Sequence, residues 1–228
     1  MAGLMSVNGE PDERGGQPLR VGLPVVDMVT GLNAALGIMF ALNERQCSGR
    51  GQFVEAALYD CGLSLLHPHA ANHLLDGRVP TRSGNAHPNI YPYDTFATAT
   101  EPIFLAVGND RQFATLCALI GDDALARDDR FSTNGLRSVN RASLKRHLED
   151  LLAPFECEPL ALRLVQAGVP CAAIQDVAAA LAHEHTAHRG MVVSIGEHYK
   201  GVASPIKLSR TPATYRSPPP LAAADGAR

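Results

Sequence analysis

The chain has 228 residues, of which 46% are apolar and 19% are charged, and its formal net charge is −3. A charged fraction below the roughly 25% of typical soluble domains indicates a chain that buries much of its surface. The net charge argues against a dominant nucleic-acid or anionic-membrane footprint, because both need clustered Lys and Arg. The amino terminus is acidic and has no basic-then-apolar run, so we expect no signal peptide.

The cysteines and the longest apolar stretch both indicate a cytoplasmic protein. No stretch reaches the ~18 uncharged apolar residues of a membrane span, because Asp27, Asn33 and three glycines interrupt the nearest candidate, Val21–Leu42. The cysteines are odd in number and form no Cys-x-x-Cys pair, which is typical of reduced thiols rather than a disulfide scaffold. They are Cys47, Cys61, Cys117, Cys157 and Cys171.

The predicted elements begin with a long apolar helix. Residues 3–20 are rich in glycine, proline and charge and predict a loop. The helix follows over Val25–Arg45, and its apolar residues lie on every side, a pattern typical of a buried helix. A strand is then predicted over Gln52–Leu58, and a second helix over Asp60–Leu75 that stops before Gly77.

Short strands and helices alternate along the rest of the chain, around a long loop at residues 78–95. The predicted elements are a strand at Pro102–Val107, a helix at Arg111–Ile120 capped by Asn109, a helix from Asn140 to about Leu152, a helix at Leu160–Ala167, a strand at Cys171–Ile174, an alanine-rich helix opened by Asp176, and strands at Met191–Ile195 and Ala203–Leu208. The tail from Thr211 is expected to be extended or disordered. The pattern predicts an α/β fold with a mixed sheet.

Asp27 is the first candidate for chemistry, since it lies near the start of the apolar helix. Its ordinary interpretation is a plain helix cap. Its functional interpretation is a nucleophile: the helix amino terminus stabilises the anion by ~0.3–1 kcal/mol, and an apolar wall that excludes water makes a carboxylate reactive toward an activated acyl group. The spacing of residues leaves both interpretations open.

Histidines form the other candidate clusters. His69 and His73 stand four apart on a predicted helix, with His67 close by, and this spacing can hold a metal. No carboxylate or cysteine with suitable spacing completes the set, so we expect no metal site. A second cluster on a predicted exposed helix is expected to be solvated, and it consists of His183, His185 and His188.

Four sequence blocks then stand in order along nearly the whole chain, from about Gly3 to Pro220. The first is GLMSVNGEPD followed by VGLPVVDMVTGLNAALGIMFAL, and the second is SGRGQFVEAALYD. The third is GNAHPNIYPYDTF, and the last comprises AVGNDRQFATLCALIG, AGVPCAAIQDV, RGMVV and ASPIKLS. In this order the blocks resemble the family III CoA-transferases, the carnitine and formyl-CoA transferase (CaiB/BaiF) family.

The resemblance implies the central and carboxy-terminal portion of a longer chain. Family members begin with a Rossmann-like half that supplies most CoA contacts, so the expected fold is the α/β family fold lacking that half. Residues 1–75 would belong to the large domain, residues 76–210 would form a small α/β domain, and residues 211–228 would be a Pro/Ala-rich tail. Because two family chains interlock, a homodimer is expected.

The resemblance also places Asp27 at the family's nucleophile position. It implies transfer of CoA between an acyl-CoA and a small carboxylic acid through a covalent aspartyl intermediate, with a CoA thioester as substrate and no permanently bound cofactor. The loop containing Gly84, Asn85 and His87 resembles the segment that closes over the acyl group, and its backbone N–H groups are expected to stabilise oxyanions. The loop lacks the glycine run of formyl-CoA transferases, which favours larger acids such as succinate.

Two other functions stay open. Related racemases use an aspartate in this region, with a histidine from the other half, to move an α-proton of an acyl-CoA. Deuterium exchange into acyl-CoA without acyl transfer would favour that function. Alternatively, the chain is catalytically silent and serves as a dimerisation module, and CoA binding by the chain itself would argue against this.

Overall fold

The computed structural model describes residues 2–219 and divides the chain into two compact units, Met1–Ala173 and Ile174–Arg228. The domain boundaries expected from the family resemblance, after residues 75 and 210, belong to the fold of a longer chain and therefore stay predictions. The predicted tail lies in part outside the described residues, at positions 220–228.

The first unit begins with helices. They are α1 at Leu4–Val7, α2 at Val25–Ser48, α3 at Leu58–Ser64 and α4 at His69–Asp76, with a 3-10 turn at Asp12–Arg14. The predicted long helix is confirmed as α2. It ends where Gly49 adopts a φ of 72° and donates its N–H to the Arg45 carbonyl, an end for which glycine is suited because it has no Cβ.

Two predictions for this region are wrong. Residues 52–57 form no strand, and Val54 of this segment packs on α2 instead: a Cβ on Gly37 would stand 2.8 Å from Val54 Cγ1. The predicted helix over Asp60–Leu75 is two helices, α3 and α4, separated at Pro68, whose ring disfavours helical geometry in the residue before it.

A three-stranded antiparallel sheet forms the centre of the first unit, with β1 at Tyr93–Phe96, β2 at Ile103–Ala106 and β3 at Cys171–Ala173 in the order β1-β2-β3. Phe96 pairs with Ile103 in register, and both are buried. In the described residues every strand pair of the protein is antiparallel, so the predicted mixed sheet is wrong. Between β1 and β2 the reason is local, since the short connection 97–102 can only turn the chain back as a hairpin.

Helices pack on this sheet and complete the core. They are α5 at Asp110–Ile120, α6 at Asn134–Val139, α7 at Arg141–Leu152 and α8 at Cys157–Gln166. Asn109 caps α5 as predicted, accepting the Gln112 N–H at 2.9 Å. The sequence patterns did not predict α6. Asn140 lies between α6 and α7, and its side-chain amide donates to the carbonyls of Arg130 and Leu136 instead of capping α7.

Arg137 is a fully buried guanidinium in this core. It donates to the carbonyl of Tyr91 at 2.8 Å, to the carbonyl of Phe131 at 3.0 Å and to the carboxylate of Asp110 at 2.7 Å. Its Cζ also lies 4.4 Å from the centre of the Phe113 ring. A buried charge is tolerable only when paired and hydrogen-bonded in this way, and the network fixes where the loop before β1 ends.

The second unit contains two short helices and a hairpin: α9 at Val177–Ala182, α10 at Glu184–His188, β4 at Val192–Ile195 and β5 at Tyr199–Val202. Asp176 caps α9 by accepting the Ala179 N–H at 2.8 Å, as predicted. The predicted strand at Ala203–Leu208 is wrong, because the chain turns at Gly196 and the residues before Ala203 pair with β4 instead.

No residue of α2 is buried. Large apolar side chains are left exposed along it: Met28, Leu32, Leu36, Ile38, Met39, Phe40 and Leu42. By length and composition alone this helix could cross a membrane, but a core helix covered by further protein passes the same test. The helix has the all-round apolar surface that the sequence predicts, but residues 2–219 do not bury it.

We expect the isolated chain to dimerise or aggregate through α2, because exposed apolar patches of several hundred Å² mark interfaces. Phe40→Ser or Ile38→Asn should shift the particle mass toward the monomer, measured by light scattering at micromolar concentration. Leu162→Ser, which changes an exposed apolar residue of α8, is the matched control. A monodisperse monomer of the unsubstituted chain would contradict this expectation.

Candidate functional site

Asp27 lies in the first turn of α2 and is exposed. The N-cap residue is Pro24, and no side chain caps the helix. The Met28 N–H donates to the Pro24 carbonyl, whereas the N–H groups of Val26 and Asp27 meet no acceptor among residues 2–219. Unpaired N–H groups and the positive end of the helix dipole make this terminus favourable for an anion.

A cavity of about 590 Å³ opens beside this carboxylate. Its walls are mostly apolar and are formed by residues 2–6, residues 20–21, residues 23–26, and Leu58 and Tyr59 of α3. Arg20 adds one positive charge. The volume falls in the range of small-molecule sites, and an apolar wall with one carboxylate and one guanidinium suits a short acyl chain that carries a charge.

Packing of α3 on α2 sets one side of this cavity. The Asn33 amide lies 3.5 Å from the Cys61 sulfur, and Cys61 and Gly62 are buried. A Cβ on Gly62 would stand only 2.7 Å from the Ala2 Cβ. Glycine at this position therefore lets the amino-terminal segment approach α3 and close the wall.

Gly84 and Asn85 line a different cavity, of about 360 Å³. Gly84 has a φ of 62° and donates its N–H to the Gly9 carbonyl at 3.0 Å. The Glu10 carboxylate lies 3.1 Å from where a Gly84 Cβ would stand, and the positive φ of Gly84 is the feature that favours glycine here. The Asn85 amide donates to Thr95 Oγ1 at 3.2 Å. In the described part of this chain, Asp27 and Gly84 do not line a common cavity.

His87 fixes the end of the same loop. Its Nδ1 accepts the N–H groups of Asn89 at 3.1 Å and Ile90 at 3.2 Å, so the ring proton is assigned to Nε2. The ring stacks on Tyr93 with centroids 5.2 Å apart. Burial, together with the charge of Arg141 and neighbouring imidazoles, lowers the pKa of His87. It thus acts in its neutral form, as a brace for the loop.

The other histidines form no site within the described residues. His69 and His73 lie on α4 as predicted, and burial lowers the pKa of His69. His73 Nδ1 lies 2.9 Å from the Arg78 carbonyl. No three side chains of the metal-ligating types converge anywhere in residues 2–219. The second histidine cluster is exposed, as predicted: His183, His185 and His188.

Sequence reasoning missed two residues at the second cavity, Tyr91 and Arg141. They are fifty positions apart in the chain, and only the packing of α7 against the loop brings them together. The one sequence feature that could have indicated Tyr91 is its position within the block GNAHPNIYPYDTF. By sequence alone, however, a tyrosine there cannot be distinguished from an aromatic residue of the core.

Comparison with known proteins places this geometry in context. The model of CoA-transferase family III matches residues 1–226. A succinate–glutarate CoA-transferase of Agrobacterium fabrum is 36% identical over 224 residues, covering 96% of this chain and 55% of the relative. A succinyl-CoA:mesaconate CoA-transferase of Haloarcula hispanica is 34% identical over 216 residues, covering 92% and 53%.

A solved structure is similar as well. The crystal structure of a CAIB/BAIF family protein from Brucella suis is 38% identical, with a TM-score of 0.75, and the match covers 96% of this chain and 57% of that one. The chain thus spans about half the length of the curated relatives it matches.

The His87 brace should make stability depend on pH. Because the pKa of His87 is lowered from its ordinary value of 6.5 in the folded chain, the unfolded chain binds the proton first. The free energy of unfolding should therefore fall as pH drops below about 6.5. In His87→Asn this fall should be shallower, measured by urea unfolding at about pH 7, 6 and 5. His198→Asn, at an exposed residue, is the control, and equal slopes in His87→Asn and the unsubstituted chain would contradict the expectation.

Proposed function

Because the chain belongs to CoA-transferase family III, we propose that it carries the nucleophile of an enzyme that moves CoA from an acyl-CoA to a carboxylic acid. The observation that carries the proposal is the position of Asp27, in the first turn of α2 and at the edge of a largely apolar cavity. A carboxylate in this position lies at the positive end of the helix dipole and next to an apolar wall.

The first half of the reaction activates Asp27. One carboxylate oxygen of Asp27 attacks the thioester carbonyl, the carbon–sulfur bond breaks, and CoA leaves as a thiolate. The product is a mixed anhydride between Asp27 and the acyl group. The thiolate then attacks the aspartyl carbonyl of the anhydride, which releases the donor acid as a carboxylate. Asp27 is left as a thioester of CoA.

The second half repeats these steps in reverse order. The acceptor carboxylate attacks the aspartyl thioester and expels the thiolate, and the thiolate attacks the acyl carbonyl of the new anhydride. The new acyl-CoA leaves and Asp27 is again a carboxylate. Each step consumes one anion and releases another, either a carboxylate or the CoA thiolate, so charge balances without net proton transfer or oxidation.

The oxyanions of these steps need hydrogen-bond donors. The loop that contains Gly84 is expected to supply them, but three of its N–H groups already have acceptors in this chain. Gly84 donates to the carbonyl of Gly9, Ala86 to that of Ser83 and His87 to that of Tyr93. The unpaired N–H groups at the start of α2 are better placed, since they lie beside Asp27 itself. We assign them the main share of oxyanion stabilisation in this chain.

The substrate class in this proposal is a small dicarboxylic acid. The relatives from A. fabrum and H. hispanica are named for succinate, glutarate and mesaconate. In the Asp27 cavity, Arg20 supplies a positive charge for the second carboxylate of such an acid. We also propose that the protein is cytoplasmic and acts without a membrane or nucleic acid. In this proposal it works as an interlocked homodimer, in which further protein covers α2.

Asp27→Ala should abolish acyl exchange between succinyl-CoA and glutarate in a protein extended at its amino terminus by the corresponding half of a relative. Asp27→Glu should lose on the order of 100-fold, because a displacement of about 1 Å misaligns the nucleophile. Asp60→Ala, at an exposed carboxylate in the first turn of α3, is the matched control. Exchange measured by chromatography of the CoA esters that persists in Asp27→Ala would end this proposal.

The 228-residue chain alone should bind CoA weakly, with a Kd no tighter than about 1 mM, or about 4 kcal/mol of affinity. The sequence shows no glycine-rich phosphate-binding motif of its own. Calorimetric titration with CoA measures this. Micromolar binding would show that the CoA site lies within these residues.

A further inference from the structure

A closed loop over residues 8–19 joins two stretches of the wall of the Asp27 cavity. Residues 2–6 precede this 8–19 loop and Arg20 follows it directly, and both line the cavity. At the base of the loop the Leu19 N–H donates to the Asn8 carbonyl at 2.9 Å, and the Asn8 amide donates to the Leu19 carbonyl at 2.8 Å. The position of the loop therefore affects the wall on both sides of it.

Arg82 binds this loop from a distant part of the chain. Only 10% of its side chain is exposed. It donates to the carbonyl of Glu10 at 3.1 Å and to that of Gly16 at 3.4 Å, and it pairs with the Asp12 carboxylate. A planar guanidinium presents its donors in fixed directions and can hold several acceptors at once, which an ammonium on a flexible stem does less well. Arg82 thus holds separate parts of the loop together.

The residues next to Arg82 connect the loop to the sheet of the first unit. Gly84 donates its N–H to the Gly9 carbonyl at 3.0 Å. The Asn85 amide donates to Thr95 Oγ1 on β1 at 3.2 Å. The 8–19 loop is therefore fixed to the first unit through the segment that contains Arg82.

Arg20 depends on this arrangement for its position. It is exposed, and among residues 2–219 no carboxylate pairs with it. Residues 21–24 separate it from the start of α2, so its backbone is held by α2 on one side and by the base of the loop on the other. If the loop came free, Arg20 would have to be ordered at the moment a substrate binds, which costs conformational entropy.

We propose that Arg82 is a positioning residue for the acid substrate. By holding the 8–19 loop on the first unit, Arg82 keeps Arg20 in the Asp27 cavity, where Arg20 pairs with the second carboxylate of a dicarboxylic acid. This inference rests on the proposed function, which supplies the role of Arg20. Arg82 does not line that cavity. Its loss therefore weakens binding of the acid and leaves the chemistry at Asp27 intact.

The first test compares two acceptor acids in the protein extended at its amino terminus. They are glutarate and pentanoate, which has the same number of carbons but only one carboxylate. Arg82→Gln should raise KM for glutarate about tenfold, because a charged contact to the acid is lost, and should change kcat and the kinetics with pentanoate by less than about twofold. Arg78→Gln is the matched control, since Arg78 is an exposed arginine nearby that pairs with Asp76. Equal losses with both acids would overturn the proposal.

A double variant tests whether Arg82 acts through Arg20. Arg20→Ala should itself lose the preference for glutarate over pentanoate. Adding Arg82→Gln to Arg20→Ala should then cause no further loss, because the two changes remove the same interaction. Additive losses would overturn the proposal. A preference that persists in Arg20→Ala would refute the proposed dicarboxylate together with this inference, whereas a preference lost in Arg20→Ala but kept in Arg82→Gln would refute this inference alone.

Limited proteolysis of the 228-residue chain measures the loop independently of catalysis. A glutamate-specific protease should cut after Glu10 and Glu13 about tenfold faster in Arg82→Gln than in the unsubstituted chain, because cleavage needs local opening of the backbone. Cleavage after Glu149, in the core helix α7, should stay slow, which shows that the variant is folded. Arg82→Lys keeps the charge but not the planar fork, so it should give an intermediate rate, and it replaces Arg82→Gln should that variant unfold. Unchanged cleavage after Glu10 and Glu13 in a folded Arg82 variant would overturn the proposal.

Discussion

The buried guanidinium of Arg137 is the constraint on which the first unit depends. Its N–H groups donate to oxygens of three separate segments. These are the carbonyl of Tyr91 before β1, the carbonyl of Phe131 before α6 and the carboxylate of Asp110 at the start of α5. Removing one partner of such a network leaves a buried charge unpaired, which typically costs 3–5 kcal/mol. Through the Tyr91 carbonyl, the core determines where the long loop ends and hence where the Tyr91 ring is held.

That anchoring is one of several contacts that hold the loop despite its length. On its other side, Arg82 donates to the Glu10 carbonyl and pairs with Asp12, and Gly84 donates to Gly9. His87 braces the last residues, because its Nδ1 accepts two backbone N–H groups. The loop is therefore tied to the first unit at both ends and in the middle.

Sequence patterns predicted what depends on local geometry. The α2 helix, its glycine end and the caps at Asn109 and Asp176 follow from residue type and spacing alone. The patterns failed where tertiary contacts decide the structure. Residues 52–57, before α3, include strand-forming residues, but Val54 of this segment packs on the helix α2. The nucleophile position came from resemblance. The pair Tyr91 and Arg141 could not be predicted, because a basic residue on an amphipathic helix is usually solvated.

The two cavities differ in what they offer to the proposed acyl transfer. At the start of α2 the structure offers a carboxylate, unpaired N–H groups and an apolar wall, which together suit bond making at Asp27. At the loop the second cavity is lined by polar and charged side chains, among them Lys145, which pairs with the buried Asp94. The proposed transfer therefore rests on the first cavity, where Arg20 can hold the second carboxylate of an acid beside Asp27. Since α2 is apolar and uncovered in the described residues, protein packed against that helix would complete the surroundings of Asp27.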